Sequence, residues 1–304
     1  MVDGKPAGFT RTSPSRLQAR YGRIAGIAGA CMLALSLVAC VAPPIVTTPP
    51  AASTAEAAQP ADAATASLVL RHTDDAIMIP DAIPAGLRRV TIENAGADWH
   101  ASIIRRLQDD VTMEQFVAAF QENPFESLPL TVQLGGPDLP PGAVVETAFD
   151  FTPGQYVVVD NWTAPPRMQP FTVTPGDTAD DPAPEAAVTV EMREHEFVMP
   201  ATLAAGRQWW EFRNTGDTVH QVGIIRLAPD ATVDDIVAWL DSEDGPPPWD
   251  DIAFWNVMSP GEASWGEIEL PPGDFLVLDF LPDFANDGAA NFALGMLKEI
   301  TVTE

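Results

Sequence analysis

An internal repeat constrains this chain more than any other feature. Asn94-Ala-Gly-Ala-Asp-Trp-His100, followed by Ala-Ser-Ile-Ile-Arg-Arg-Leu107, returns 120 positions later as Asn214-Thr-Gly-Asp-Thr-Val-His220, followed by Gln-Val-Gly-Ile-Ile-Arg-Leu227. The match extends outward in one register without a gap: Pro80 with Pro200, Gly86 with Gly206, Thr112 with Thr232 and Val117 with Val237. A repeat of this extent marks a duplicated structural unit. The length of 304 residues leaves room for about two domains of ordinary size. Each repeat is long enough to bury its own core.

Both repeats follow one plan. Short strands are expected at 67–71, 76–79, 87–93 and 101–106, with Pro80 stopping the second and the Asn94-Ala-Gly96 turn ending the third. The period then changes. Met113, Phe116, Val117 and Phe120 fall at i, i+3, i+4 and i+7, one face of a helix, and Thr112 with Gln115 forms a capping box before it. A Gly/Pro loop at 134–142 follows, then strands at 143–149, 154–160 and 170–174. In the second repeat the strands are expected at 188–193, 196–199, 208–213, 221–226, 263–269, 273–279 and 297–303. Its helix face is Val233, Ile236, Val237 and Leu240, with Thr232 and Asp235 at the cap, and its Pro-rich loop covers 245–249. About seven short strands with one inserted helix predict a Greek-key β-sandwich in each repeat.

The segment before the repeats reads as an export signal. Lys5, Arg11, Arg16, Arg20 and Arg23 precede an uncharged, apolar run at 24–39. That run is too short for a membrane span, which needs about 20 residues, and suits a signal h-region. It ends in Leu37-Val38-Ala39-Cys40, which resembles a bacterial lipobox, so Cys40 is the expected lipidation site. The organisation expected is a signal peptide at 1–39, a Pro/Ala/Thr-rich tether at 40–66, one domain at 67–175, a linker at 176–187 and a second domain at 188–304. The protein is expected outside the cytoplasm, held to the cell membrane through Cys40, with an envelope protein or ligand as partner. The formal net charge is −27. A chain this acidic is repelled by phosphate backbones, so no nucleic acid is expected. The acidity suits solubility of an exported domain, with a cationic partner as the alternative.

Three patterns resemble the cupredoxins, the fold family of plastocyanin and azurin. They are Asn214-x-Gly216-x-x-x-His220, then Gly273-Asp-Phe275-Leu-Val-Leu-Asp279, and Gly295-Met296 before the last strand. The first repeat matches the first two, with His100 and with Gly154-Gln-Tyr156-Val-Val-Val-Asp160, and its last loop offers only Met168. The resemblance implies tandem all-β cupredoxin-like sandwiches and, in each, a copper site built from two imidazoles, a thiolate and an axial thioether. The only cysteines, Cys31 and Cys40, lie outside both repeats. Asp279 or Asp160 stands where the thiolate would be, and Asn291 where the second imidazole would be. A hard carboxylate does not replace a soft thiolate for copper(I), so a type 1 electron-transfer site is not expected.

An unpartnered carboxylate at the end of an apolar strand is costly. Each Asp is therefore expected to hydrogen-bond the neighbouring His as a structural tie. The alternatives are a solvated Asp starting a loop beside a loosely packed His, and a residual divalent-metal site from His220, Asp279, Asn291 and Met296, or from His100, Asp160 and Met168. No cofactor is expected in the first two cases, a weakly bound copper or zinc ion in the third. His72 and His195 are expected at the surface, among charged neighbours. Of Trp209 and Trp210, which face opposite ways on a strand, one is expected in the core. Trp249, Trp255 and Trp265 are expected to cover the sandwich edge, with an exposed aromatic patch as the alternative. No nucleophile elbow, HExxH helix or phosphate loop is present, so the chain is expected not to be an enzyme. The function expected is a binding or envelope-interaction module, with extracytoplasmic metal handling as the alternative.

Overall fold

A computed structural model describes residues 68–176, 180–242 and 244–304. The export segment, Cys40 and the tether lie outside the described residues. Among those described, no helix is long and apolar enough to cross a membrane.

The described chain is built on two large β-sheets packed over a shared apolar core, with two α-helices outside. In the first half, Leu68–His72, Gly86–Asn94 and Val144–Phe151 belong to one sheet. Thr131–Gly135, Ile103–Leu107, Gly154–Asp160 and Arg167–Thr174 belong to the other. The second half repeats this order with Val188–Arg193, Gly206–Asn214 and Ala263–Leu270, against Trp249–Met258, His220–Leu227, Gly273–Leu278 and Leu297–Thr303. This is the all-β tandem sandwich expected from the repeat.

Helix α1, Met113–Glu122, carries the capping box: Gln115 N donates to Thr112 Oγ1, and the Gln115 side chain accepts from Thr112 N. Helix α2, Val233–Ser242, starts where Asp235 Oδ2 accepts from Thr232 N at 2.8 Å. Phe116 and Phe120 of α1 are buried on Val157 and Val159, while Tyr156 and Val158 of the same strand face the sandwich core. A strand covered on both faces has no need of polar alternation, which explains the run Tyr156-Val-Val-Val.

The halves are joined edge to edge. Val144–Phe151 pairs antiparallel with its own counterpart, Ala263–Leu270, through Phe149↔Ser264, Ala148↔Trp265 and Thr147↔Gly266. In the other sheet Leu134 meets Met258. One sheet thereby reaches eight strands and the other ten, and one apolar cluster runs through both halves. At its centre Trp255 stacks on Phe212 at 4.4 Å and on Phe149 of the first half at 6.1 Å. Gly135 and Gly266 make room for it, since a Cβ on either would fall within 2.5 Å of the indole.

Two strands at this joint differ from the sequence reading. Thr131–Gly135 overlaps the expected Gly/Pro loop, and Trp249–Met258 follows directly on the Pro-rich loop. Their partners lie partly in the other repeat, so the local pattern carries little of the signal. Trp255 belongs to the core rather than the sandwich edge. Trp210 is the buried member of its pair, and Arg89 lies over the Trp209 ring at 5.2 Å.

Candidate functional site

In the second half, His220 opens the strand after the Asn214 turn, and Asp279 directly follows the strand Gly273–Leu278. Alternation puts Asp279 on the face of Phe275 and Val277, toward the core. Both side chains are buried, and His220 Nδ1 donates to Asp279 Oδ2 at 2.9 Å. Asn291 Nδ2 donates to the same oxygen at 2.9 Å, and Leu281 N donates to Oδ1 at 2.8 Å. Burial pushes the Asp279 carboxyl up, against the hydrogen bonds from His220, Leu281 and Asn291. Met296 is fully buried and tied in through its backbone: Met296 N donates to Asn291 O, and Asp279 N to Met296 O. The structure thus gathers His220, Asp279, Asn291 and Met296 at one end of the sandwich.

The first half repeats the tie. His100 Nδ1 donates to Asp160 Oδ2 at 2.7 Å, and Ala101 N donates to Oδ1 at 3.0 Å. The imidazole–carboxylate hydrogen bond expected from the sequence is present in both halves. An outer carboxylate faces each ring as well, Asp74 Oδ1 at 3.7 Å from His100 Nε2 and Glu194 Oε1 at 4.0 Å from His220 Nε2.

Two site residues lie elsewhere than expected. Met168 sits opposite Val159, not Asp160, and packs with the apolar cluster under α1. Successive residues of a strand face opposite ways, so Met168 is on the face away from the His100–Asp160 pair. Its place opposite Asp160 is taken by Arg167, whose Nη1 is 4.0 Å from Oδ2.

His72 is the other correction. It is not at the surface but completely buried, with Nε2 and Ser102 Oγ hydrogen-bonded at 2.7 Å and its ring stacked on His100 at 5.3 Å. Leu70 and His72 share the inward face of their strand, an i, i+2 signal that could have placed it there. Burial lowers its imidazole to about 4. His72, His100 and Asp160 offer donor atoms within 4.8 Å of one another, and His72 Nδ1 and His100 Nε2 have no hydrogen-bond partner. The second half has Met192 and Val222 at the positions of His72 and Ser102, so this triad has no counterpart there. His195 is half-buried, with Nε2 at 2.9 Å from Asp283 Oδ2.

A feature not foreseen from the sequence is a cleft of about 780 Å³ between the halves. Its walls are mainly apolar and aromatic, including Trp99, Phe120 and Trp162 from one half and Trp249, Phe254 and Phe280 from the other. Two carboxyl groups border it. Asp138 accepts from Trp162 Nε1 at 2.9 Å and from Asn256 Nδ2 at 2.7 Å, yet burial outweighs both and pushes it up to about 7. Asp251 accepts from Trp249 Nε1 at 3.0 Å and is also raised by burial. No local sequence pattern could reveal the cleft, because the sheet joint creates it.

No protein-family model and no curated protein matches the chain. Among solved structures it is similar to auracyanin B, at 18% identity over 42% of this chain and 96% of that one, with a TM-score of 0.29. It is also similar to a multicopper oxidase, at 14% identity over 78% and 88% with a TM-score of 0.24. The copper nitrite reductase of Nitrosomonas europaea is similar at 11% identity over 78% and 94%, with a TM-score of 0.24. The expectation that the chain is not an enzyme is corrected by these two enzymes. A search for nucleophile, zinc-helix and phosphate-loop patterns does not detect a centre assembled from separate strands, and a fold of this type fixes no function either way. The likeness is distant and assigns no reaction to this chain. The strand order described above is that of two β-sandwiches in tandem.

Proposed function

We propose that this is an extracytoplasmic binding module, tethered to the membrane through Cys40, in which the two His–Asp pairs are structural ties and the ligand sits between the halves. The observation that carries this reading is the cleft, a cavity of about 780 Å³ walled by side chains of both halves. Small-molecule sites have this character, with volumes of roughly 300–1,000 Å³, apolar walls and few polar groups. The ties support it by leaving little for chemistry at the copper-like position. In the second half both oxygens of Asp279 already accept hydrogen bonds. With no thiolate in either repeat, type 1 copper does not fit these residues.

The test uses N-phenyl-1-naphthylamine, a neutral apolar probe that fluoresces when shielded from water. The chain should enhance its emission, and Ala253→Trp, which fills the cleft, should abolish the effect without unfolding the protein. Equal enhancement by the variant refutes the reading.

One observation favours a second reading, a divalent ion held by His72, His100 and Asp160. His72 Nδ1 lies 4.0 Å from Asp160 Oδ2 with no hydrogen-bond partner, and the three residues offer donor atoms within 4.8 Å of one another. Two imidazoles and a carboxylate suit zinc or copper(II). Calorimetric titration with Cu(II) and Zn(II) tests it. Stoichiometric binding should be lost in His72→Ala and kept in His220→Ala. No binding, or loss only in His220→Ala, refutes it.

A further inference from the structure

The cleft contains a charge that nothing balances. Arg105 lies on the strand Ile103–Leu107, on the face shared with Ile103 and Leu107, toward α1. It borders the cleft and is only 4% exposed. Its Nη1 donates to Ser127 Oγ at 2.9 Å, whereas its Nε has no hydrogen-bond partner. The Phe116 and Phe120 rings face the guanidinium at 5.8 and 5.4 Å. No carboxylate comes within ion-pair distance of it among the described residues. Burial lowers it only to about 10, so it stays cationic at neutral pH.

A buried, unpaired guanidinium is unfavourable, and aromatic faces offset this only in part. The equivalent position in the second half is Ile225, so the fold does not require a charge there. The two carboxyl groups of the cleft do not serve Arg105. Asp138 and Asp251 are instead held by tryptophan and asparagine N–H donors. An incoming anion would complete the guanidinium's hydrogen bonds, and the aromatic walls would cover an apolar body.

We infer that the cleft takes a small apolar carboxylate, its acid group paired with Arg105 and its body between the aromatic walls of the two halves. This rests on the cleft being the binding site, and it adds the chemical class of the ligand. Arginine–carboxylate pairs are charge-assisted and bidentate, so the preference should be for the anion and not merely for apolar bulk.

The test compares three ligands with one ring system by calorimetry on the purified chain: 2-naphthoate, 2-naphthylmethanol and 2-naphthylmethylammonium. The carboxylate should bind at least tenfold more tightly than the alcohol, and the ammonium ion most weakly. In Arg105→Met the carboxylate-to-alcohol ratio should fall to about one, and Arg105→Lys should keep part of it. Equal binding of carboxylate and alcohol by the unmodified chain overturns the inference. So does a preference for the ammonium ion, which would make Asp138 and Asp251 the recognition groups. If the neutral probe is bound and blocked by Ala253→Trp while naphthoate shows no preference, the inference fails and the cleft reading stands. If the neutral probe is not bound, the cleft reading itself falls.

Discussion

Replacing Asp279 with alanine tests the tie directly. The side chain is fully buried and accepts three hydrogen bonds, from His220 Nδ1, Asn291 Nδ2 and Leu281 N. Each buried donor left without an acceptor costs about 1–3 kcal/mol. The simple sum overstates the loss, because burying the carboxylate was itself unfavourable, as its raised pKa shows. With three buried donors losing their acceptor and part of that cost offset, the expected loss is about 3–5 kcal/mol. For a chain of this size 1 kcal/mol corresponds to roughly 2–4 °C, so the melting temperature should fall by on the order of 10 °C. The assay is urea and thermal unfolding followed by tryptophan fluorescence, in a double-mutant cycle with His220→Ala. Asp109→Ala, whose side chain is 96% exposed, is the control and should lie within about 0.5 kcal/mol of the parent. The two tie variants should couple by about 1–3 kcal/mol, because each removes the same bond. A loss below 1 kcal/mol for Asp279→Ala, or strict additivity with His220→Ala, would refute the tie.

Three further outcomes are expected. Asp279→Cys combined with Asn291→His supplies the missing thiolate and second imidazole beside His220 and Met296, and with Cu(II) should give intense visible absorption from a copper–sulfur bond; a colourless copper complex would count against the resemblance at this site. Ser102→Val alone leaves His72 Nε2 without its partner and should destabilise by about 1–3 kcal/mol, whereas adding His72→Met, which reproduces Met192 and Val222 of the other half, should recover most of the loss in urea unfolding. Asp138 has a folded pKa raised to about 7 from 3.8, so its share of stability is complete below about pH 4 and is lost as pH rises through 7. Asp138→Asn should remove up to about 1.4 kcal/mol per pH unit of decline across that window, read from unfolding curves between pH 4 and 8.

Much of the fold was legible because it is encoded locally. The repeat, the helix face at Met113, Phe116, Val117 and Phe120, and the hydrophobic strands before Asp160 and Asp279 all rest on short-range periodicity. The His–Asp ties followed from one physical demand, that a carboxylate at the end of an apolar strand find a donor. What was missed depends on long-range pairing. His72 looked like a surface residue beside Arg71, Thr73 and Asp74, and only the parity of Leu70 and His72 signals otherwise. Met168 looked like the counterpart of Met296 until register set it opposite Val159. Arg105, one residue before the repeated Arg106, carries no local signal, because its significance depends on a cavity that neither repeat forms alone.

The pairing of Val144–Phe151 with its own counterpart bears on how the molecule could have arisen. Two identical subunits meeting through this edge would form a closed, isologous dimer, and every residue bordering the space between them would occur twice. Any charge introduced there would face a copy of itself. Joining the copies in one polypeptide lifts that restriction, since each side can then mutate alone. Arg105 in one half and Ile225 at the equivalent position of the other is a difference that two identical subunits could not carry.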